Sequence, residues 1–245
     1  MIKTIQPTWN VPQQVRAFCT TRGGGVSEAP FDSFNLATHV GDDAHSVAEN
    51  RRLLRSQGLL PDEPCWINQT HGTRVVILED EDIRDADAAV SRSPGIVAVV
   101  MTADCLPILL CNQDGTEIAA VHAGWRGLQS GVVQAALGAM NSSPASLMAW
   151  IGPAISQACF EVGDEVREAF MESTSEAITC FSKYGAGHWL CDLAGLADLI
   201  LRQQGVAEIH TDLHCSYRDR DLFYSYRREA VTGRMASLIW INSEG

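Results

Sequence analysis

The chain has little lysine, no long apolar run and no closely spaced cysteines. Each absence argues against a class of protein or a kind of site. Of its 18 basic residues only Lys3 and Lys183 are lysines, so guanidinium groups would build any anion pocket, although a GC-rich genome would give the same bias. No apolar run approaches the roughly 20 residues of a membrane span, and the first residues lack the apolar core of a signal peptide. We therefore expect a cytoplasmic protein that does not bind a membrane.

Positive charge is also scarce. Acidic residues outnumber basic ones by 30 to 18, and the formal net charge of −12 argues against affinity for nucleic acid or acidic membrane surfaces. The 8 cysteines include no C-x-x-C pair, so we expect reduced thiols rather than a disulfide frame or a zinc ribbon. With 46% apolar and 20% charged residues, the composition is that of an ordinary globular protein, and we predict one domain over residues 1–245.

Three apolar runs in the middle of the chain are each too short for an ordinary helix and are bounded by turn residues, which predicts buried strands. They cover residues 96–101, 106–111 and 118–121. Asp104 and Cys105 lie between the first two strands, and His122 closes the third. Since strand ends that lead into loops hold reactive groups rigidly yet exposed, we expect the chemistry at these positions.

Further strands and helices surround this centre. We predict strands at residues 15–20, 74–78 and 147–151, an extended segment at 159–162, a hairpin or loop at 180–190 and three short strands within 208–241. Helical spacing predicts helices at residues 44–58, 128–140, 164–171 and 193–204. Residues 79–87 form an acidic segment that we expect to be exposed. Because strands and helices do not alternate strictly, we predict an α+β fold with a mixed, largely antiparallel sheet.

Cys105 and His122 lie 17 residues apart with one strand between them, so an antiparallel hairpin could bring both to one end of a sheet. In one chemistry, His122 takes the thiol proton and the thiolate attacks an acyl group. In the other, both side chains bind a metal and His71, at a loop tip before its own strand, is the third ligand; such a site with one open position makes water a usable nucleophile. A buried cysteine and a hydrogen-bonded histidine of purely structural role would have the same spacing.

Two arginines are candidates for binding an anion. Arg126 stands at a predicted helix start, where a guanidinium and free N–H groups suit phosphate or carboxylate. Arg22 precedes three glycines whose backbone N–H groups could wrap an anion. An arginine that caps a turn, and a plain wide loop, would explain the same residues. Asp104 is ambiguous, because its charge opposes a free thiolate but permits metal binding or proton transfer.

Seven motifs, in order along nearly the whole chain, carry a resemblance to a known family. They are TRGGGVS at 21–27, NQTHG at 68–72, MTADCLPILL at 101–110, VHAGWRG at 121–127, IGPAI at 151–155, FEVG at 160–163 and SYRRE with TGRMAS within 225–237. The chain resembles the bacterial YfiH family, also called the multicopper polyphenol oxidoreductase, laccase-domain or peptidoglycan editing factor family.

That resemblance implies a metal site formed by His71, Cys105 and His122. It also implies a layered α/β/β/α fold, similar to the catalytic domain of cytotoxic necrotizing factor toxins. Activities of the family include phosphorolysis of adenosine, inosine and methylthioadenosine, adenosine deamination and oxidation of phenols. A multicopper oxidase needs about ten histidines in H-x-H pairs, whereas this chain has 7 histidines and no such pair. We therefore expect no four-copper laccase, although one copper ion at this site could oxidise phenols weakly.

A purine nucleoside enzyme suits these residues better. We expect zinc, with copper as the other metal, and catalytic roles for Cys105, His122 and Asp104, the last in proton transfer. Four residues are expected to bind the small-molecule partners, nucleoside and phosphate: Arg22, Asn35, Gln69 and Arg126. The main alternative is a cysteine hydrolase that trims wrongly built cell-wall precursors, with Cys105 as nucleophile, His122 as base and His71 as orienter or bystander. A binding module without turnover is the third alternative, and the oligomeric state stays open.

Overall fold

A computed structural model describes residues 1–82 and 84–243 of the chain. Its strands are β1 (Thr4–Ile5), β2 (Val15–Thr20), β3 (Val75–Ile77), β4 (Ala88–Ser91), β5 (Val97–Thr102), β6 (Leu106–Asn112), β7 (Ile118–Ala123), β8 (Leu147–Ile151), β9 (Glu161–Gly163), β10 (Phe181–Gly185), β11 (His188–Cys191), β12 (Glu208–Thr211) and β13 (Met235–Ile241). Its α-helices are α1 (Ala44–Gln57), α2 (Trp125–Ser130), α3 (Val132–Ala139), α4 (Asp164–Ser173) and α5 (Leu193–Gln203).

The largest sheet carries two of the predicted central strands. Its strand order is β12-β8-β6-β7-β4-β3, and β6 and β7 form an antiparallel hairpin at its centre. The register of this hairpin places Pro107 opposite His122. Cys105, which directly precedes β6, therefore lies at the same end of the sheet as His122.

Two smaller sheets complete the β structure of the described residues. One has four strands in the order β1-β2-β13-β5, and the other has three in the order β10-β11-β9. The pairs β3–β4 and β12–β8 are parallel, whereas the other strand pairs are antiparallel. The predicted α+β fold with mixed, largely antiparallel sheets is confirmed.

The two larger sheets are packed face to face. Successive side chains of a strand point to opposite faces of its sheet, so each strand can contribute to a core on either side. In β6, Ile108 packs in the core under α2, α3 and α5, whereas Leu109 packs in the core between the sheets. In β5, Val100 faces that same inner core and Val99 packs with Leu54 of α1 on the outer side. The order is thus helices, sheet, sheet, helix, as the family resemblance implied; the likeness to toxin domains stays a prediction.

One helix was predicted at residues 128–140, whereas the structure has two helices there, α2 and α3. Gly131 ends α2 with a φ of 99°, a left-handed conformation that glycine adopts without steric cost. The helical segment also begins earlier than predicted, at Trp125 with Gly124 as N-cap. The helix start therefore follows His122 closely and lies beside the candidate site.

Three other predictions are wrong in part. Residues 208–241 contain two strands rather than three, because residues 212–234 run through turns whose backbone groups bond to other loops, as the N–H of Ser216 does to the carbonyl of Ala154. The extended segment begins only at Glu161, after a 3-10 turn. The acidic segment is not exposed throughout, since Asp87 is fully buried.

No helix in the described part of the chain is both long and apolar enough to cross a membrane. One domain over residues 1–245 stays a prediction, supported by a core that both larger sheets share.

Candidate metal centre

His122 is the most deeply buried residue of the predicted metal triad. It lies in β7, its side chain is 3% exposed, and its Nδ1 lies 2.8 Å from Oδ1 of Asp87. Because a carboxylate can only accept, Nδ1 donates this hydrogen bond and Nε2 is left to bind a metal. Burial alone would lower the pKa of His122, but the contacts with Asp87 and Cys105 outweigh it and raise the pKa to about 9.

Asp87 holds both histidine-bearing segments in place. The sequence did not indicate this role, because Asp87 lies in an acidic segment that was predicted to be exposed. Its Oδ1 also accepts from the backbone N–H of His71 at 2.9 Å. Its Oδ2 accepts from the N–H groups of Thr70 and Gly72, and from the Thr70 hydroxyl, at 3.1, 2.7 and 2.9 Å. Burial alone would raise the pKa of Asp87, but these bonds and His122 lower it to about 2. Its position directly before the apolar strand β4 is the one sign of burial in the sequence.

His71 lies at a loop tip, as predicted, and holds a φ of 60°. Non-glycine residues are uncommon in this left-handed region and concentrate at functional sites. Its Nε2 lies 3.7 Å from Sγ of Cys105, and its ring centroid lies 4.8 Å from that of His122. The strained backbone, held by the bond to Asp87, therefore directs the imidazole toward the other two candidate ligands.

Cys105 completes the group. It follows Asp104, whose φ of 92° turns the chain sharply before β6. The ligand atoms of Cys105, His71 and His122 all lie within 4.8 Å of one another. Burial alone would raise the pKa of the Cys105 thiol, but the two histidines outweigh it and lower the pKa to about 6. The two histidines therefore favour the thiolate, the form that binds metals.

The donor set and its spacing fit a metal ion. Ligand atoms bonded to one tetrahedral zinc ion at about 2.0–2.3 Å stand about 3.5 Å apart. This separation is close to the 3.7 Å between Sγ of Cys105 and Nε2 of His71. Imidazole and thiolate ligands occur together in catalytic zinc sites, and a carboxylate behind a ligating histidine, here Asp87, is their usual outer partner. Copper accepts the same donors, so the donor set fits a metal without selecting one.

Gly124 leaves the space that two of these ligands need. A Cβ at this position would lie 2.9 Å from Cδ2 of His71 and 3.0 Å from Sγ of Cys105. Its φ of −67° suits any residue, so Gly124→Ala should fold while pushing the two ligands apart. We expect zinc affinity to fall about 10- to 100-fold, measured by titrating zinc into metal-free protein.

Gly138→Ala is the matched control for that change. Gly138 lies in α3, and a Cβ there meets nothing within 4 Å. This variant should keep the zinc affinity of the unmodified protein. Equal affinities for both variants would show that Gly124 does not shape the ligand group.

The three candidate ligands line a cavity of about 390 Å³, a volume typical of small-molecule sites. Its other walls come from loops and from the end of β5: His39, Gln69, Met101, Thr102, Ala103, Tyr226 and Arg234. None of the described residues lining it carries a carboxylate. In an otherwise acidic protein, this lining favours a neutral or anionic ligand.

Two of the residues predicted to bind substrate lie in or beside this cavity. Gln69 lines it, and its side-chain amide exchanges two hydrogen bonds of 2.7 Å with the backbone of Met101. Asn35 is fully buried, and its Oδ1 accepts from the backbone N–H groups of Ala37 and Arg234. Gln69 is therefore placed to contact a ligand, whereas Asn35 positions Arg234.

The two predicted anion-binding arginines do not line the cavity. Arg22 donates to the backbone and carboxylate of Asp32 and stacks on Tyr224, with 4.9 Å between the guanidinium carbon and the ring centroid. Arg126 is exposed and stacks on Trp125 at 4.5 Å. Their predicted part in binding substrate stays a prediction, and these contacts do not favour it.

Asp104 is next to Cys105 in the chain, but its carboxylate contacts other groups. Oδ1 accepts from the hydroxyl of Ser216 at 2.6 Å, and Oδ2 accepts from the backbone N–H of Arg227 at 2.7 Å. These bonds tie the loop before β13 to the turn that carries Cys105. They favour a positioning role, while the predicted proton transfer stays a prediction.

Seven residues of the site were not predicted: His39, Asp87, Met101, Thr102, Ala103, Tyr226 and Arg234. Five of them lie within motifs that carried the family resemblance, MTADC, SYRRE and TGRMAS. Nothing local to those motifs shows that they meet, because Thr102 and Arg234 are brought together by the pairing of β5 with β13. Only long-range sheet pairing reveals this wall of the cavity.

The fold and the group of His71, Cys105 and His122 define an α+β protein with a candidate metal centre. The comparison with known families agrees with the resemblance that the motifs indicated. Residues 16–242 match the family described as multi-copper polyphenol oxidoreductase laccase, and the chain belongs to this family, the YfiH family.

Relatives of this chain match it over nearly its full length. Purine nucleoside phosphorylase YfiH of Escherichia coli is 47% identical over 243 residues, covering 98% of this chain and 100% of that protein. A purine nucleoside phosphorylase of Pseudomonas aeruginosa is 45% identical over 238 residues, covering 97% and 98%. The crystal structure of a Neisseria meningitidis protein superposes with a TM-score of 0.94 at 45% identity, covering 98% of this chain and 99% of that one. YlmD from Geobacillus stearothermophilus superposes with a TM-score of 0.87 at 29% identity, covering 94% and 93%.

Proposed function

We propose that the chain is a zinc-dependent purine nucleoside phosphorylase that converts adenosine, inosine and methylthioadenosine, with inorganic phosphate, to a free base and a sugar 1-phosphate. The observation that carries this proposal is the group of three ligand atoms within 4.8 Å of one another on a cavity of about 390 Å³. The names of the relatives point to the same reaction. The cavity has the size for a nucleoside and no carboxylate in its described lining to repel phosphate.

In this reaction an oxygen of phosphate forms a bond to C1′ of the sugar while the bond from C1′ to the base nitrogen breaks. The electron pair of the broken bond stays with the base, which takes up the proton of hydrogen phosphate. Zinc, when bound, supplies positive charge that stabilises the developing anions.

The residues of the chain orient and enclose the reactants. The bond from Nδ1 of His122 to Asp87 fixes the orientation of the imidazole and leaves Nε2 as the atom that would hold a metal ion. The thiolate of Cys105 would offset part of the charge of such an ion. Tyr226, 58% exposed and part of the cavity wall, offers an aromatic face on which a purine can stack. Gln69, whose side-chain amide is held by the backbone of Met101, lines the same cavity.

Adenosine deamination is a second activity of the same site in this proposal. Water replaces the amino group at C6 of the base, and ammonia leaves. Zinc deaminases of nucleobases also hold their metal with histidine and cysteine, which is the observation in favour. Weak phenol oxidation would need copper at the same ligands.

A cysteine hydrolase acting on cell-wall precursors remains the rival function, and one observation favours it. Cys105, His122 and Asp87 form a series in which the pKa of the thiol is lowered to about 6 and the imidazole is held by a carboxylate. Nucleophilic cysteines are activated by the same kind of arrangement. In that function the Cys105 thiolate would attack an acyl carbon, the amine of the broken bond would leave with a proton from His122, and water would then release the acyl group from the sulfur; no metal would be needed.

Metal removal separates the two functions. A strong chelator should abolish phosphate-dependent release of hypoxanthine from inosine, and added zinc should restore it, because the charge that stabilises the departing base is lost and then returned. Elemental analysis of the purified protein should find close to one zinc ion per chain. Product analysis with and without phosphate measures the reaction itself.

Each contrary outcome has a definite meaning. Hypoxanthine release that survives complete metal removal would overturn the metal-dependent proposal. Hydrolysis of a cell-wall peptide that increases on chelation would support the cysteine hydrolase. Restoration by copper but not by zinc would correct the metal alone.

A further inference from the structure

We propose that Arg234 and Thr102 form an oxyanion subsite beside the metal ligands, and that this subsite holds the inorganic phosphate. The inference rests on the proposed phosphorolysis for its role, but the binding of an anion can be tested separately. Both residues line the cavity that contains His71, Cys105 and His122.

Hydrogen bonds from Nη1 fix the guanidinium of Arg234 and leave its other edge, formed by Nε and Nη2, available to a ligand. Its Nη1 donates to the carbonyls of Thr232 and Gly233 at 2.9 and 3.0 Å, and its backbone N–H donates to Asn35 at 3.0 Å. Among the contacts of residues 1–82 and 84–243, neither Nε nor Nη2 of Arg234 donates a hydrogen bond, and no carboxylate forms an ion pair with it. An arginine held this way presents two parallel donors to an oxyanion.

Thr102 supplies a second, independent indication. It is the last residue of β5, its exposed fraction is 2%, and its Oγ1 has no hydrogen-bond partner in the described part of the chain. A buried hydroxyl without a partner is costly. Six buried side-chain atoms of the described residues lack a partner, and among them only Oγ1 of Thr102 belongs to a residue that lines the cavity. A phosphate oxygen bound beside Arg234 would accept its proton.

Arg234 brings positive charge to a cavity that also holds negative charge. His39 lines the same cavity, and burial together with the positive charges of Arg234 and Arg51 lowers its pKa. Burial lowers the pKa of Arg234 as well, whereas the negative charges of Cys105 and Asp104 act in the opposite direction, and the guanidinium stays protonated. A metal ion held by His71, Cys105 and His122 would offset the charge of the thiolate and leave Arg234 to bind the anion. Phosphate bound at Arg234 would then share the cavity with the nucleoside that it attacks.

Arg234→Gln, Arg234→Lys and Thr102→Val test the subsite through the steady-state constants for each substrate. We expect Arg234→Gln to raise the KM for phosphate roughly 10- to 100-fold, because charge-assisted hydrogen bonds are lost, and Arg234→Lys to raise it less. Thr102→Val should raise it several-fold while the melting temperature holds or increases, since an unpaired buried hydroxyl is removed. The KM for inosine and the zinc content should stay within about twofold. Arg52→Gln, which changes an exposed arginine of α1 paired with Glu49, is the control.

Several results would overturn the subsite. They are an unchanged KM for phosphate in both Arg234→Gln and Thr102→Val, or a rise in the KM for inosine alone. If the unmodified protein shows no phosphorolysis, the proposed function fails, and calorimetric titration with inorganic phosphate then decides the subsite by itself. Binding to the unmodified protein and to Arg52→Gln, but not to Arg234→Gln, would support it; absence of binding to the unmodified protein would reject it.

Discussion

His122→Ala should abolish the phosphate-dependent release of hypoxanthine from inosine, with a loss of about a thousandfold or more. The change removes one of three candidate metal ligands, and a metal contributes several kcal/mol to stabilising charge in a transition state. It also leaves the buried carboxylate of Asp87 without the imidazole that it pairs with at 2.8 Å. Turnover, zinc per chain and circular dichroism measure the three consequences.

His71→Ala removes a second ligand without that structural cost, since His71 is exposed at a loop tip. It should lose zinc and activity to a similar extent, while its melting temperature stays within a few degrees of that of the metal-free unmodified protein, because bound zinc itself stabilises the folded state. His210→Ala, which changes a histidine paired with Glu208 on β12, is the control and should behave like the unmodified protein. Full turnover by His122→Ala, measured with metal absent, would reject a metal-centred mechanism.

Asp87→Asn should weaken zinc binding about 10- to 100-fold, the usual effect of losing a carboxylate behind a ligating histidine. The amide of asparagine replaces one acceptor by a donor, which would face the N–H groups now bound by Oδ2, those of Thr70 and Gly72. Breaking such a buried network costs about 2–4 kcal/mol, so the melting temperature should fall by about 5–15 °C.

Saturating zinc distinguishes positioning from a general loss of structure. If Asp87 acts by orienting His122 and His71, excess zinc should restore much of the activity of Asp87→Asn, while its melting temperature stays below that of the unmodified protein at the same zinc concentration. Asp80→Asn, which changes an exposed acid of the same segment, should alter neither quantity. Normal zinc affinity in Asp87→Asn would show that the hydrogen bonds to this carboxylate do not orient the ligands.

The central strands illustrate what local pattern can predict. Each of β5, β6 and β7 was predicted to within two residues at either end, since an apolar run between turn residues is visible in a short window. The hairpin of β6 and β7 then followed from proximity in the chain, and with it the nearness of Cys105 and His122. Gly131 illustrates the limit: whether a glycine interrupts a helix depends on its backbone conformation, which the spacing of apolar residues does not report.

The arginines show the same limit of local pattern for residues that bind a ligand. Arg22 and Arg126 were favoured because a glycine loop or a helix start stands next to each, but contacts with Asp32, Tyr224 and Trp125 occupy them. Arg234 has no such local sign, and it reaches the cavity because β13 pairs with β5.

The sequence by itself determined most of the strands and helices, the family and the three candidate metal ligands, because hydrophobic periodicity and short motifs are properties of neighbouring residues. Only the tertiary structure decided which groups surround those ligands: Asp87 behind the histidines, Asp104 tied to a loop, and Arg234 with Thr102 in the cavity wall. The physical reason is that burial, hydrogen-bond partners and the charge around a site depend on segments that are distant in the chain and meet only when the sheets pair and pack.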